Sequence, residues 1–501
     1  MDHSDRPDTG ETRQRLVIVS NRLPIVLTQD SRKQWTVSPG SGGLVTALAP
    51  VLRDRGGTWV GWPGISDQDM ENVDDVLWKH NDSIGYNLKP VQLNAEDIEQ
   101  YYKGFSNETL WPLFHDLIDH CQFNPEYWNA YQRVNEKFAQ SVKSIVSEDD
   151  FIWVHDYHLI SMISYLRKMG VRNKIGFFLH IPFPPTDIYT RLPWRVEILD
   201  SLLEYDLIGF QSPRDRRNFM TSVRTLVDKP KVRGKGQVIS ITRREQVVRA
   251  GVFPISIDFN EFSNLAHSQE ILDTAWYLHE HYADQKLLLG VDRLDYTKGI
   301  PERLRAFRYA LRKFPDLRGK VCFIQVVVPS RRDIHKYDDL KIEIDRLVSE
   351  INGEFSYAGW VPIHYMYRSL SRSELTAYYK AAEVAVITPL KDGMNLVAKE
   401  YCACNIERTG ALILSEFAGT AAQLKSGAIL VNPHHIAACA DAIYMALHMS
   451  ERERKIRMQK LRRNIRRHDI FWWVDSFMQS AFSKKLGNFP LVADYRPLTD
   501  G

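Results

Sequence analysis

The sequence predicts an α/β protein of two Rossmann-like halves, with parallel sheets facing each other across a cleft. Three observations carry this. Short apolar runs alternate with amphipathic stretches along the chain, the pattern of strands joined by crossover helices. The series starts twice, once at Leu16 and again near Lys286. The 501 residues also exceed one ordinary core, at about 100–200 residues per domain.

The elements follow in order. Leu16-Val-Ile-Val-Ser20 is the first expected strand. Gly40-Ser-Gly-Gly-Leu44 is a Gly-rich turn before a helix with Leu44, Leu48 and Val51 on one side. Phe151 to Val154, Lys174 to Leu179 and Leu207 to Phe210 are apolar runs of strand length. The second series opens with Leu287 to Val291. Its helix starts at Pro301, with Leu304, Phe307, Leu311 and Phe314 on one stripe. Strands at Val321 to Val327, Val384 to Ile387, Ala411 to Leu414 and Ala428 to Val431 complete it, the last three each followed by a helix. The boundary falls near Phe253-Pro-Ile-Ser-Ile-Asp258. This gives a disordered lead at 1–14, an N-terminal domain at 15–257, a C-terminal domain at 258–485 and a tail at 486–501. No sequence repeat relates the halves, so the division rests on pattern.

Composition narrows the function classes. With 44% hydrophobic and 25% charged residues the chain reads as a soluble globular protein. A net charge of +3 gives no argument for nucleic acid or an anionic membrane. No apolar run approaches the ~20 residues of a membrane span, and the first residues hold no apolar signal region. Five cysteines, mostly in apolar surroundings, fit reduced cytoplasmic thiols better than a disulfide frame. Cys402-Ala-Cys404 lacks zinc-site spacing. The basic stretch 451–468 reads as a solvated helix with Ile456, Met458, Leu461 and Ile465 turned inward, since no aromatic stacking platform interleaves its charges.

Ligands of such sheets bind at the carboxyl ends of strands, and polar motifs gather there. Ser20-Asn21-Arg22 follows the first strand, where an Arg can fork onto a phosphate. The glycines of Gly40 to Gly43 allow backbone N–H groups to approach an anion. Tyr101-Tyr102 to Trp111-Pro112 reads as an aromatic loop of the kind that stacks on sugar rings. Trp153-Val-His-Asp-Tyr-His158 and Phe178-Leu-His180-Ile-Pro-Phe-Pro184 each set polar residues just past a strand. His155 and His158 lack a third metal ligand, so no metal is assigned. Arg293-Leu-Asp-Tyr-Thr-Lys298-Gly299 lies between a strand and a helix start, a layout that can clamp a diphosphate. Ser330-Arg331 follows another strand.

The most informative stretch is Thr388-Pro-Leu-Lys-Asp392-Gly393-Met394-Asn395-Leu396-Val-Ala-Lys-Glu400. It runs from a buried strand through a turn at Asp392-Gly393 into a helix. Asp392 stands where an N-cap is expected, and Leu396 and Glu400 share a helix face. Each motif alone also has an ordinary structural explanation: a tight turn, a capped helix, an ion pair or core packing. Together they describe a cleft that brings two phosphorylated or sugar ligands into contact.

In this order and spacing, from about residue 15 to about residue 480, these motifs resemble trehalose-6-phosphate synthases of glycosyltransferase family 20. The resemblance implies the GT-B fold, with a terminal helix around Phe471-Trp472-Trp473 crossing back onto the first domain. It implies a retaining transfer of glucose from a nucleotide sugar, UDP-glucose above all, to glucose 6-phosphate, with no metal or cofactor. It places Arg22, Tyr102 and Arg331 on the acceptor phosphate and Trp62, Trp111 and Asp156 on the acceptor sugar. Gly43, Arg293 and Lys298 would meet the donor diphosphate, and His180 and Asp392 the donor glucose. Amides of Gly393, Met394, Asn395 and Leu396 would add donor contacts, and Glu400 a ribose contact. Among these, His180, Arg293, Lys298 and Asp392 would carry catalysis. Leu370 stands where some members place an aromatic residue against the base, so the resemblance fixes the sugar chemistry more firmly than the base. Two other readings remain open: a relative that glucosylates glycerol 3-phosphate, and a non-catalytic nucleotide-sugar sensor. Partners expected are the two substrates, with no nucleic acid and no membrane; a homo-oligomer is compatible with the sequence.

Overall fold

The structure is a computed structural model that describes residues 15–29, 35–40, 44–45, 48–49, 52–53, 56–67, 77, 84–234, 236–243, 245–282, 284–330 and 335–483. Gly43, Arg331, the expected lead at 1–14 and the tail at 486–501 lie outside these residues.

Two sheets organise the chain. The N-terminal one runs, edge to edge, Asn87–Pro90, Gly57–Trp62, Leu16–Arg22, Phe151–His155, Ile175–Phe178, Leu207–Phe210, Gln246–Val252, Val238–Arg243 and Lys231–Arg233. The first seven are parallel to one another. The C-terminal sheet is parallel throughout, in the order Ile363–Met366, Val321–Val328, Lys286–Arg293, Val384–Ile387, Ala411–Ser415 and Ile429–Val431. Their central strands are apolar runs buried along their length, as crossover helices on both faces require.

Four expectations are corrected. The N-terminal sheet is not purely parallel: Val238–Arg243 pairs antiparallel with both Gln246–Val252 and Lys231–Arg233. This edge needs no crossover helix, so it is absent from a search for strand–helix alternation. The aromatic stretch is not a loop. It lies in a helix, Ile98–Leu110, that runs into Trp111–Phe114, and its buried Tyr101, Phe105 and Leu110 face the core. In the basic helix Glu451–Arg467, Met458, Leu461 and Ile465 are buried but Ile456 is exposed. Arg454 turns inward instead, its guanidinium donating to the carbonyls of Ala446, Leu447 and Met449 at the end of the preceding helix. Finally, several strands run further than their apolar cores. Asn21 extends the first because Tyr101 Oη donates to its Oδ1 at 2.9 Å. Asp292 and Arg293 extend another because Arg303 compensates the buried Asp292 carboxylate.

The terminal helix, Ile470–Phe482, packs on the N-terminal sheet, with Trp473 and Phe477 stacked on Trp153 at 4.8 and 4.3 Å. Strand residue Gly176 admits it: a Cβ there would stand 2.7 Å from the Phe477 ring. The segment joining the domains is held from both sides. Trp473 Nε1 donates to Phe253 O, Ile470 N to Ile257 O and Lys399 Nζ to Ile255 O, at 3.1, 3.0 and 2.7 Å.

Candidate active site

Strand ends from both sheets bring the polar motifs to one cleft. On the N-terminal side Arg22 closes its strand, and its guanidinium lies 4.4 Å over the Trp62 ring. Ser20 and Asn21 serve the fold: Ser20 Oγ accepts from Trp59 Nε1 and donates to Arg22 O, both at 2.7 Å. Tyr102 packs edge-on against Trp62 at 5.4 Å and stacks on His158 at 6.1 Å. Protein walls surround Arg22 although it keeps exposed surface, and desolvation lowers its pKa. Arg22, Trp62 and Tyr102 therefore form one cationic, aromatic-lined subsite.

Trp111 sits deeper, 5.8 Å from the Tyr157 ring and 6.0 Å from the Arg293 guanidinium of the other domain. Asp156 adopts φ +74, unusual for a residue with a side chain. The turn aims its carboxylate at the next strand end, where it accepts from His180 N at 3.2 Å. Burial raises its pKa to about 6 against the pull of backbone N–H groups and Arg293. His180 and His155 touch, Nε2 to Nδ1, at 3.1 Å. Burial lowers the His180 pKa to about 3 and that of His155 well below the usual range, so both imidazoles are neutral at pH 7. His158 points elsewhere, onto Tyr102 and Tyr157. Among the described residues no group of three or more His, Cys, Asp or Glu side chains comes together as a metal site.

On the C-terminal side Lys298 Nζ donates to Asp392 Oδ2 at 2.6 Å. Asn395 Nδ2 donates to the same oxygen at 3.2 Å. Burial pushes the Asp392 carboxyl up, but Lys298, His115 and Asn395 more than offset it and hold the pKa below its ordinary value. Asp392 is thus not the N-cap. The helix is Leu396–Cys404, and its cap is Asn395 at φ +80, whose side chain accepts from Ala398 N at 3.1 Å. The extra residues form a turn held from behind: Asp392 N donates to Phe417 O, Gly419 N to Asp392 O and Thr420 N to Met394 O. Gly393 lies against the other domain, where a Cβ would stand 2.1 Å from His180 O. Met394 joins the apolar cluster that contains Trp153, Phe178 and Trp473, and partly buried Leu396 packs on it. Glu400, one turn into the helix, accepts from Tyr379 Oη at 2.8 Å, and burial raises its pKa.

Sequence reading passed over His115 and Lys391. His115 is buried one helical turn after Trp111, its Nδ1 2.7 Å from Trp111 O, and burial lowers its pKa to about 4. Lys391 stands beside Asp392 and forms an ion pair with Asp116 of the other domain. The one signal in the sequence was its place within the 388–400 motif.

Two Rossmann-like domains, with cations, neutral imidazoles and carboxylates meeting at their strand ends, define a glycosyltransferase of the GT-B class. The chain belongs to glycosyltransferase family 20, whose family model matches residues 14–483. It is 43% identical over 471 residues to the trehalose-6-phosphate synthases of Mycobacterium avium and Mycobacterium tuberculosis, covering 93% of this chain and 94% of each relative. Among solved structures it is similar to a UDP-forming alpha,alpha-trehalose-phosphate synthase from Burkholderia xenovorans in complex with glucose-6-phosphate. That match has a TM-score of 0.84 at 36% identity and covers 94% of this chain and 100% of that one. An E. coli structure bound with UDP-2-fluoro glucose matches at a TM-score of 0.83 and 34% identity, covering 93% and 99%.

Proposed function

We propose that this chain transfers glucose from UDP-glucose to glucose 6-phosphate with retention, giving α,α-trehalose 6-phosphate and UDP. The observation that carries it is the two-sided cleft, with Arg22, Trp62 and Tyr102 on one wall and Arg293, Lys298 and Asp392 on the other. Relatives with glucose-6-phosphate and with UDP-2-fluoro glucose bound support both halves.

In this reading Arg22, Tyr102 and Arg331 bind the acceptor phosphate, and Trp62, Trp111 and Asp156 its sugar. Asp156, ionised above about pH 6, accepts from sugar hydroxyls. Arg293, Lys298 and the amide of Gly43 receive the donor diphosphate. Asp392 and neutral His180 hold the donor glucose, with amides of Gly393 to Leu396 beside it. Glu400 takes the ribose diol. As the bond from the anomeric carbon to the phosphate oxygen breaks, negative charge builds on UDP. Arg293 and Lys298 stabilise it more in the transition state than before it. The acceptor hydroxyl attacks from the same face and gives its proton to the departing phosphate oxygen, so the configuration is kept without a protein nucleophile. Domain boundaries at about residue 257 and a cytoplasmic setting belong to the same proposal. Among the described residues no helix is long and apolar enough to cross a membrane.

The test is a matrix of nucleotide-glucose donors against acceptors. The expected result is UDP release and a non-reducing phosphorylated disaccharide from UDP-glucose and glucose 6-phosphate. Turnover only with glycerol 3-phosphate overturns the acceptor, and binding without turnover on any acceptor overturns the enzyme. A trapped glucosyl ester on a carboxylate overturns the same-face mechanism.

A further inference from the structure

One side chain next to the donor turn reaches across the cleft. Lys391 precedes Asp392, and its backbone is fixed within its own domain, since Leu390 N donates to Thr297 O at 2.8 Å. Its side chain is only 14% exposed, and the ammonium pairs with Asp116 of the N-terminal domain. Asp116 closes the short helix Trp111–Phe114: its N–H donates to Leu113 O at 3.1 Å and it sits at φ +63. Between that helix and Asp116, the His115 ring packs at a tilt against Trp111, centroids 4.3 Å apart. Asp215, buried in the N-terminal domain, also acts on Lys391, while Arg214 opposes it. Asp215 in turn accepts from Phe183 N at 3.2 Å and from Ser212 Oγ at 2.5 Å, which anchors the loop after His180. A continuous path thus runs from Asp392 through Lys391 to Asp116, His115 and Trp111, with a branch to the His180 loop.

We propose that Lys391 is a positioning residue that couples the donor turn to the acceptor helix, so that each substrate site, when filled, tightens the other. The inference rests on the donor and acceptor reading above. Its physical basis is linkage. The pair exists only when the two domains are apposed, so it favours the arrangement in which both half-sites are complete. A partly exposed ion pair is weak alone, so the coupling it carries is modest.

The experiment titrates UDP into the full-length protein with and without saturating glucose 6-phosphate, and takes the ratio of the two Kd values. Wild type is expected to bind UDP about fivefold tighter with glucose 6-phosphate present. Lys391→Met and Asp116→Asn should each bring the ratio close to one, and Lys391→Arg should keep it. The two neutralising variants separate coupling from long-range attraction. Loss of a cation weakens the binding of anions and loss of an anion strengthens it, so electrostatics alone moves the two Kd values in opposite directions. Coupling moves the ratio the same way in both. The paired exchange Lys391→Asp with Asp116→Lys should recover part of the ratio. A ratio unchanged in Asp116→Asn, whose surface position leaves folding intact, overturns the proposal, as does a wild-type ratio of one. Failure of wild type to bind UDP at all overturns the functional reading and this inference with it.

Discussion

The replacement Arg303→Met probes the foundation under the donor side of the cleft. Arg303 has no exposed side-chain surface and Asp292 only 3%. The guanidinium donates to Asp292 Oδ2 at 2.5 Å, Thr388 Oγ1 at 3.1 Å, Gln325 Oε1 at 3.3 Å and Lys298 O at 3.2 Å. It therefore ties together two strands, the residue just past a third and the backbone of the residue that holds Asp392. Methionine fills a comparable length without charge and leaves Asp292 buried and unpaired. Removing one partner of a buried pair costs about 3–5 kcal/mol. For a domain of this size, about 3 kcal/mol lowers the melting temperature by roughly 6–12 °C. The pH dependence checks the cause. Burial raises the Asp292 pKa while Arg303 pulls it down. Without Arg303 the folded pKa rises further above the unfolded one. A group shifted that way contributes stability below its unfolded pKa and loses it as pH rises through its folded pKa. The deficit of Arg303→Met should therefore narrow as the pH is lowered from neutral. Asp292→Asn added to Arg303→Met should recover stability over the single variant, because the buried charge is gone. Melting curves at two pH values on wild type and these two variants decide it. An Arg303→Met protein that melts within about 2 °C of wild type, where one kcal/mol already shifts a domain by that much, refutes the account.

Other expectations follow from single contacts. Arg22→Lys keeps the charge but loses the planar fork over Trp62; the KM for glucose 6-phosphate should rise about ten- to a hundredfold, with the KM for UDP-glucose nearly unchanged in initial-rate assays. Gly393→Ala places a methyl where His180 O stands; kcat/KM should fall roughly a hundredfold while circular dichroism stays native. Lys399 is buried against Ile255 O, and burial lowers its pKa to about 7 from 10.5. The folded state binds fewer protons than the unfolded one between those values, so its contribution is fully present above 10.5 and is lost as pH falls to about 7. Relative to Lys399→Met, wild type should gain stability across that window, by up to about 1.4 kcal/mol per pH unit in urea titrations.

Legibility in the sequence followed the range of the interactions. Val384–Ile387 and Leu207–Phe210 were readable because an apolar run bounded by polar residues is a local signal, and each strand ends where that signal ends. Leu16–Arg22 was underestimated because its last polar residues are satisfied from afar, Asn21 by Tyr101, 80 residues away. The Asp392 cap failed for the same reason. Local chemistry favours Asp before a helix, but Lys298, 94 residues earlier, takes the carboxylate, and Asn395 caps instead. Arg454 looked like one more solvated charge, and only the fold supplies the carbonyls that draw it inward. Strand-end position, by contrast, placed Arg22, His180 and Arg293 at the cleft, because a parallel sheet sets its strands' carboxyl ends on one side.

The same distant contacts give the site its division of charge. His155 and His180 are adjacent, and among the described residues no carboxylate pairs with either ring; desolvation, joined at His155 by the neighbouring His180, keeps both neutral. Asp392 is also largely shielded from water, but Lys298 lies 2.6 Å away and holds it ionised. Asp156 falls between, because backbone N–H groups and Arg293 only partly offset its burial. Two carboxyls in one cleft are thus set apart in pKa by what faces them rather than by residue type. The cationic charge is held at Arg293 and Lys298, beside the place where the leaving diphosphate would gain its own. In the proposed reading His180 lies near the donor sugar, where its neutral imidazole can exchange hydrogen bonds with hydroxyls without opposing positive charge at the anomeric carbon. A protonated imidazole there would raise the barrier that Arg293 and Lys298 are proposed to lower. In the same proposed reading, the packing of His180 against Phe178 and Trp473, part of the core that the returning helix completes, serves catalysis as well as the fold.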